Sequence, residues 1–151
     1  MTDSIEYSPI RHRLALALVG STLTLIFIGG LVTSTHSGLS VPDWPLSYGR
    51  LMPPMVGGIL FEHGHRMVAT LVGLLTIVTA VFFRRDPRVW VRRAGWSALG
   101  LVIAQGVLGG LTVLFKLPKP ISIAHGTLAQ TFFCLTVALA VWTSPSWQKP
   151  S

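Results

Sequence analysis

Phe61-Glu62-His63-Gly64-His65-Arg66-Met67 sets an acid, two imidazoles and a guanidinium against an uncharged run that continues to Phe83. Ionisable groups at the edge of an apolar span are costly to bury, and those that occur are usually paired or bind something. The stretch therefore decides two things together: the run after it is a membrane-crossing helix, and the groups within it are candidates for function. On a helix Glu62, His65 and Arg66 stand at i, i+3 and i+4 and share one face, whereas His63 points roughly 200° away from His65. One histidine can look inward with the acid. A candidate partner for it lies far along the chain at His125, in Ile123-Ala124-His125-Gly126-Thr127.

Composition supports the membrane reading. Half of the 151 residues are hydrophobic, only 11% are charged and the mean hydropathy is +0.61, too apolar for an ordinary soluble domain. The net charge of +7 sits in short basic blocks beside apolar runs. That pattern fits positive-inside topology and argues against nucleic acid as a partner. Cys134 is the only cysteine, so no intrachain disulfide forms and cysteine usage is silent about redox compartment.

Four apolar runs predict an all-α membrane protein, an up-and-down bundle of four transmembrane helices. Residues 1–13 form a cytoplasmic N-terminal segment, 14–143 the four-helix bundle, and 144–151 a cytoplasmic tail. The first run, Leu14 to Val32, is long enough for a hydrocarbon core of roughly 30 Å. It is followed by Gly29-Gly30-Leu31-Val32-Thr33 and no small-x-small cleavage site, which predicts an uncleaved helix. From Ser34 to Gly58, Pro42, Pro45, Pro53 and Pro54 with four glycines exclude a long helix. A loop of that length is more often functional than idle, and Asp43-Trp44-Pro45-Leu46-Ser47-Tyr48 supplies aromatic groups suited to an interfacial belt. The second helix runs from Met67 to Phe83 and stops at Arg84-Arg85-Asp86-Pro87-Arg88. The third, Ala94 to Phe115, carries Gly106-xxx-Gly110, read as close helix packing. The fourth spans Ile121 to Trp142.

Arg11, Arg13, the five arginines between residues 84 and 93, and Lys149 lie on one face, against Arg50, Arg66, Lys116 and Lys119 on the other. This asymmetry predicts a multi-pass protein of the cell membrane, in contact with lipid, with both termini cytoplasmic. In such a bundle the second and fourth helices start at the same face. His65 lies eighteen residues before Phe83 and His125 eighteen before Thr143, each about 27 Å along a helix, so both imidazoles fall at one depth. A weak internal repeat supports the pairing: Gly29-Gly30-Leu31 precedes His65 as Gly109-Gly110-Leu111 precedes His125, and Ala69 and Ala129 each follow their histidine by four residues. Two neutral imidazoles facing one another in an apolar pocket can ligate a heme iron from both sides, and neighbouring glycines and alanines leave room for a flat macrocycle. Residues 14–143 thus read as a heme-binding bundle. His12 and His36 lack such placement and read as solvated, and His63 is open.

Gly29-Gly30-Leu31-Val32-Thr33, Ser37-Gly38-Leu39-Ser40, Asp43-Trp44-Pro45-Leu46, Glu62-x-x-His65-Arg66, Gln105-Gly106-x-x-Gly109-Gly110 and Ala124-His125-Gly126, taken in this order, resemble the heme A synthase family of cytochrome oxidase assembly proteins. The resemblance runs from Leu14 to Trp142. It implies an oxidoreductase that converts a ring methyl of heme O to the formyl group of heme A, built from a four-helix unit present twice. This chain resembles the first unit, which handles the substrate heme. A second unit, where a heme b cofactor is expected, has no counterpart in these residues, so the resemblance implies either association with a second copy or with another four-helix half, or a chain that no longer performs the full reaction. Many bacterial members carry a cysteine pair in the first outer loop. The matching positions here are Ser40 and Ser47, which rules out thiol chemistry there.

The resulting assignment makes His65 and His125 axial ligands of the heme iron, Glu62 the catalytic acid or base beside the reacting edge, and Arg66 a partner for a propionate or for Glu62. Two other readings compete. A non-enzymatic bis-histidine heme carrier or electron-transfer subunit needs both histidines but not Glu62. An assembly factor that only contacts other membrane proteins needs none of them.

Overall fold

The computed structural model describes residues 7–148. Residues 1–6 of the expected N-terminal segment, and Lys149 of the basic count, lie outside the described residues. Four long helices follow one another: α1 Pro9–Ser34, α2 Gly58–Phe83, α3 Val89–Leu114 and α4 Lys119–Trp142, with a single turn, α5, at Pro145–Gln148. Three have 26 residues and α4 has 24, each long and apolar enough to cross a membrane. At 1.5 Å per residue that is about 36–39 Å, which overshoots the hydrocarbon core by a turn or more. The helices accordingly start earlier than the uncharged runs alone suggest. α1 begins on Pro9, whose missing N–H costs nothing at a helix start, and α4 begins on Lys119-Pro120 in the same way. Arg11 and Arg13 thus lie inside α1, where long side chains reach back to the interface.

Each helix packs on two neighbours, α1 on α2, α2 on α3, α3 on α4 and α4 on α1, and among the described residues the backbones of the diagonal pairs stay apart. This is the up-and-down bundle, and the chain is a multi-pass membrane protein with four spans. Its core is unevenly distributed. Ala15, Leu18, Val72, Phe83, Val91, Ala98, Phe132, Leu139 and Ala140 form one cluster toward the end of the bundle that carries the arginine-rich turn. Lipid tails are as apolar as leucine, so this association rests on close van der Waals fit, which Gly95 permits by lying against the Phe83 ring. Thr76, Thr79 and Thr136 sit in the same zone with their hydroxyls donated to carbonyls of their own helix, which satisfies those polar groups locally.

Asp86 closes that end. Its carboxylate, 2% exposed, accepts from Arg88 at 2.9 Å and from Arg11 at 2.9 Å, while Arg88 also donates to the Trp142 carbonyl at 2.7 Å. Burial pushes the Asp86 carboxyl up, but the Arg88 side chain and backbone N–H, with the charges of Arg88 and Arg11, outweigh it and hold the group below the usual carboxylate range. His12, expected to be solvated, instead places Nδ1 3.2 Å from the Ala140 carbonyl and so joins α1 to α4.

The internal repeat extends to the helix ends. α1 finishes with Ser37 N–H donated to Val32 and His36 N–H to Thr33, and α3 with Leu117 N–H donated to Thr112 and Lys116 N–H to Val113. His36 and Lys116 both have positive φ, 54° and 58°, at the position where a left-handed residue closes such a cap. Two hairpins, α1–α2 and α3–α4, therefore share one design and differ mainly in the length of the connection.

Candidate functional site

At the opposite end of the bundle the interior changes character. None of residues 23–36 on α1 and its cap, 64–71 on α2, 99–109 on α3 or 119–131 on α4 is buried. His65 stands seven residues into α2, counted from Gly58, and His125 six residues into α4, counted from Lys119, so both fall within this less buried zone. They lie on α2 and α4, the two helices that face each other diagonally across the bundle.

The two rings are placed alike. A Cβ added at Gly29 would stand 3.1 Å from His65 Cε1, and one added at Gly109 would stand 3.4 Å from His125 Cε1. Each glycine lies five residues before the end of its helix, Ser34 or Leu114. Both imidazoles thus rest their Cε1 edge on a glycine of the preceding helix, and in both the Nδ1 atom is buried with no hydrogen-bond partner. An unpartnered buried nitrogen is expensive unless it serves a ligand or a metal-bound ring. Gln105 adds a further tie, donating from Nε2 to the His125 carbonyl at 2.8 Å. Among the described residues no group of three or more His, Cys, Asp or Glu side chains gathers as a metal cage.

Glu62 and Arg66 face another way, toward the long loop between α1 and α2. The Glu62 carboxylate, buried, accepts from Arg66 Nη2 at 2.6 Å and from the Val41 N–H at 2.7 Å. Arg66 also donates to the loop from its terminal nitrogens: Nη1 to the carbonyls of Asp43 and Leu46, and Nη2 to the Val41 carbonyl. The i,i+4 spacing thus produces a buried ion pair that straps the loop to α2, with both terminal nitrogens of the guanidinium engaged.

His63, open at the level of sequence, is buried and structural in part. Its Nδ1 lies 2.8 Å from Ser47 Oγ, and Ser47 is itself fully buried. Asp43 stiffens the loop tip by accepting the N–H groups of Tyr48 and Gly49, which also hold its carboxyl below the usual range. Trp44 reaches across to α3, where its ring occupies the space a side chain would need at Gly110, only 2.7 Å from an added Cβ. Gly106, by contrast, has open space beside it. The Gly106-xxx-Gly110 spacing is therefore one seat for a loop tryptophan, and the close helix packing read from it is not what these glycines do.

Sequence reasoning missed Val41, and named Trp44, Ser47 and Gly110 without the contacts that they make. Ser47 was legible only as an absent cysteine, and nothing in Gly110 announces a tryptophan sixty-six residues earlier.

Comparison with known proteins places these features in context. The family model described as cytochrome oxidase assembly protein matches residues 12–58 and 57–150. The heme A synthase of Methylobacterium sp. (strain 4-46) is 34% identical over 149 residues, covering 88% of this chain and 41% of the relative. That of Symbiobacterium thermophilum is 32% identical, covering 90% of this chain and 47% of the relative. That of Geobacillus thermodenitrificans is 31% identical, with 84% and 41% covered. The chain spans less than half the length of the curated relatives it matches.

Proposed function

The chain belongs to the family of cytochrome oxidase assembly proteins that includes the heme A synthases, and from that premise we propose that it binds heme O between His65 and His125 and takes part in oxidising a ring methyl to the formyl group of heme A. The observation that carries the reading is the pair of imidazoles at one level of the bundle, each against a glycine, each with a buried Nδ1 unpartnered, in a zone of the helices where no residue is fully buried. A flat macrocycle held from both sides would need two such imidazoles and a stretch of bundle loose enough to admit it. The iron supplies an anchor that fixes the position of the macrocycle, and holding a reactant in one orientation is a large part of what a site contributes to rate.

Within this reading His65 and His125 orient the substrate. Glu62, one turn outward from His65 on α2 and turned toward the loop with Arg66 and the Val41 N–H on its carboxylate, is the acid assigned to accept a proton or to stabilise positive charge developing on the substrate. Arg66 acts through Glu62, since its bonds to the carboxylate and to three loop carbonyls keep the acid in place. The loop strapped over α2, with Trp44 seated on α3, excludes water from that end. The working unit contains two bundles, either a dimer of this chain or this chain with a second four-helix half that would carry a heme b cofactor, and both termini face the cytoplasm.

A second reading, a non-enzymatic bis-histidine heme carrier or electron-transfer subunit, is favoured by one observation: Glu62 is already committed to Arg66 and Val41. Extraction and identification of the pigment from purified protein tests both. Heme O or heme A in the parent chain, with six-coordinate spectra lost in His65→Ala and in His125→Ala, is the expected result. Normal heme spectra in both variants would rule out the axial pairing.

A further inference from the structure

We infer that the groove between the long loop and the flank of α2 is a separate site for an anionic phospholipid, whose phosphate is held by Arg50 and His63. The groove has a volume of about 140 Å³ and is lined by Arg50, Leu51, His63, Arg66, Met67 and Thr70 among others. It lies on a different stripe of α2 from His65, since His63, Met67 and Thr70 recur at helical spacing while His65 faces α1. This site does not depend on heme binding.

His63 is 6% exposed, and its Nε2 is buried without a partner. His63 Nδ1 and Ser47 Oγ share one hydrogen across 2.8 Å, and with the Ser47 hydroxyl as its donor the ring accepts at Nδ1. The neutral ring then carries its own hydrogen on Nε2, a buried donor in need of an acceptor. Arg50 lines the same groove, is exposed, and makes no ion pair among the described residues. The other charges nearby are spent: Arg66 on Glu62 and the loop, Asp43 on the N–H groups of Tyr48 and Gly49. Thr70 donates to the Arg66 carbonyl at 2.9 Å. The groove is left with one full positive charge and one N–H donor, a set that recognises an oxyanion.

Size and surroundings select the source of that anion. A volume of about 140 Å³ falls short of the roughly 300 Å³ at which pockets enclose a drug-sized molecule, so a headgroup fits and a macrocycle does not. From the groove an exposed apolar stripe, Met67, Leu71, Leu74 and Val78, descends α2 at i, i+4, i+7 and i+11. An acyl chain has a track that begins at the phosphate site. Free phosphate would use the same two donors but not the stripe.

The test titrates the full chain, purified and delipidated in mild detergent, with palmitoyl-oleoyl phosphatidylglycerol or phosphatidylcholine while bound lipid is counted by native mass spectrometry. Phosphatidylglycerol is expected to bind about tenfold more tightly than phosphatidylcholine, falling to within about twofold in Arg50→Gln and in His63→Asn. Asparagine keeps an amide where Nδ1 meets Ser47 and deletes the Nε2 donor. Arg50→Gln alters only an exposed loop side chain, and it carries the test if the other variant fails to fold. Equal binding of the two lipids by the parent chain overturns the inference. So does saturable binding of inorganic phosphate with no preference between the lipids, which would make this a free-phosphate site, and so does a short-chain quinone that binds in an Arg50-dependent way where phosphatidylglycerol does not.

Discussion

The Cε1 edge of His65 lies so close to α1 that a side chain at Gly29 would begin 3.1 Å from it, tighter than ordinary van der Waals contact. The ring comes this near because no Cβ stands in its way. Gly29→Val is therefore expected to tilt His65 and to weaken heme binding by about tenfold, the scale of a modest overpacking strain. Gly109→Ala, where the corresponding contact is 3.4 Å, is expected to stay within about twofold of the parent. Optical titration of the apoprotein with heme reads both, and equal losses in the two variants would contradict the unequal contacts.

Gly110 makes a sharper case. An added Cβ would stand 2.7 Å from the Trp44 ring, so Gly110→Ala must displace the indole and free the tip of the long loop. Hydrogen exchange over residues 43–50 is expected to rise while exchange in the buried end around Leu18 and Leu139 is unchanged. A loop as protected as in the parent chain would show that Trp44 has another seat.

The pH dependence of stability is set in part by Asp86. Its carboxyl is held below the usual range, so it binds a proton less readily folded than unfolded, and its contribution is complete above its unfolded value near 3.8. As pH falls through the lower folded value, that contribution is lost. Thermal unfolding in detergent is expected to show a midpoint that drops below about pH 4, and Asp86→Asn is expected to flatten that drop while lowering the midpoint at neutral pH. A variant as stable as the parent at neutral pH would mean that Arg11 and Arg88 find equal partners elsewhere.

Most of the fold was legible because a membrane imposes long uncharged runs, and here their ends are marked by prolines and by arginines, which are costly in mid-span. The equal depth of His65 and His125 was legible for the same reason, since counting along a helix is counting in depth. The long loop was not. Val41, Trp44 and Ser47 carry no periodicity, and their positions depend on the buried Glu62–Arg66 pair, which captures three loop carbonyls and one loop N–H. An i,i+4 acid and base on a helix is ordinarily an exposed pair worth a few tenths of a kcal/mol, and only the fold of the loop over it makes it a buried one. The repeat likewise predicted alike hairpins but not that non-glycine residues, His36 and Lys116, would take the left-handed position in both caps.

Glu62 is where the enzyme and the carrier part company, and its burial changes what its replacement means. Glu62→Gln keeps the size and an oxygen for the Val41 N–H but weakens the bond to Arg66, so a loss of about 1–3 kcal/mol in stability is expected on structural grounds alone. Lower conversion of heme O to heme A would then be ambiguous unless it is counted per folded, heme-loaded molecule. Arg66→Lys supplies the control, because it loosens the same strap while leaving the Glu62 carboxylate in place. If Glu62 touches the reacting edge, conversion per loaded molecule is expected to fall about a hundredfold in Glu62→Gln and far less in Arg66→Lys, the scale of one positioned acid-base or electrostatic group. If Glu62 only holds the loop, the two variants lose conversion together, in proportion to the loop's lost protection from hydrogen exchange. The measurement is heme O to heme A conversion in membranes, normalised to bound heme, with the second four-helix half supplied where the parent chain alone shows none. Full conversion by Glu62→Gln under those conditions would remove the acid from the catalytic set and leave a bis-histidine heme carrier.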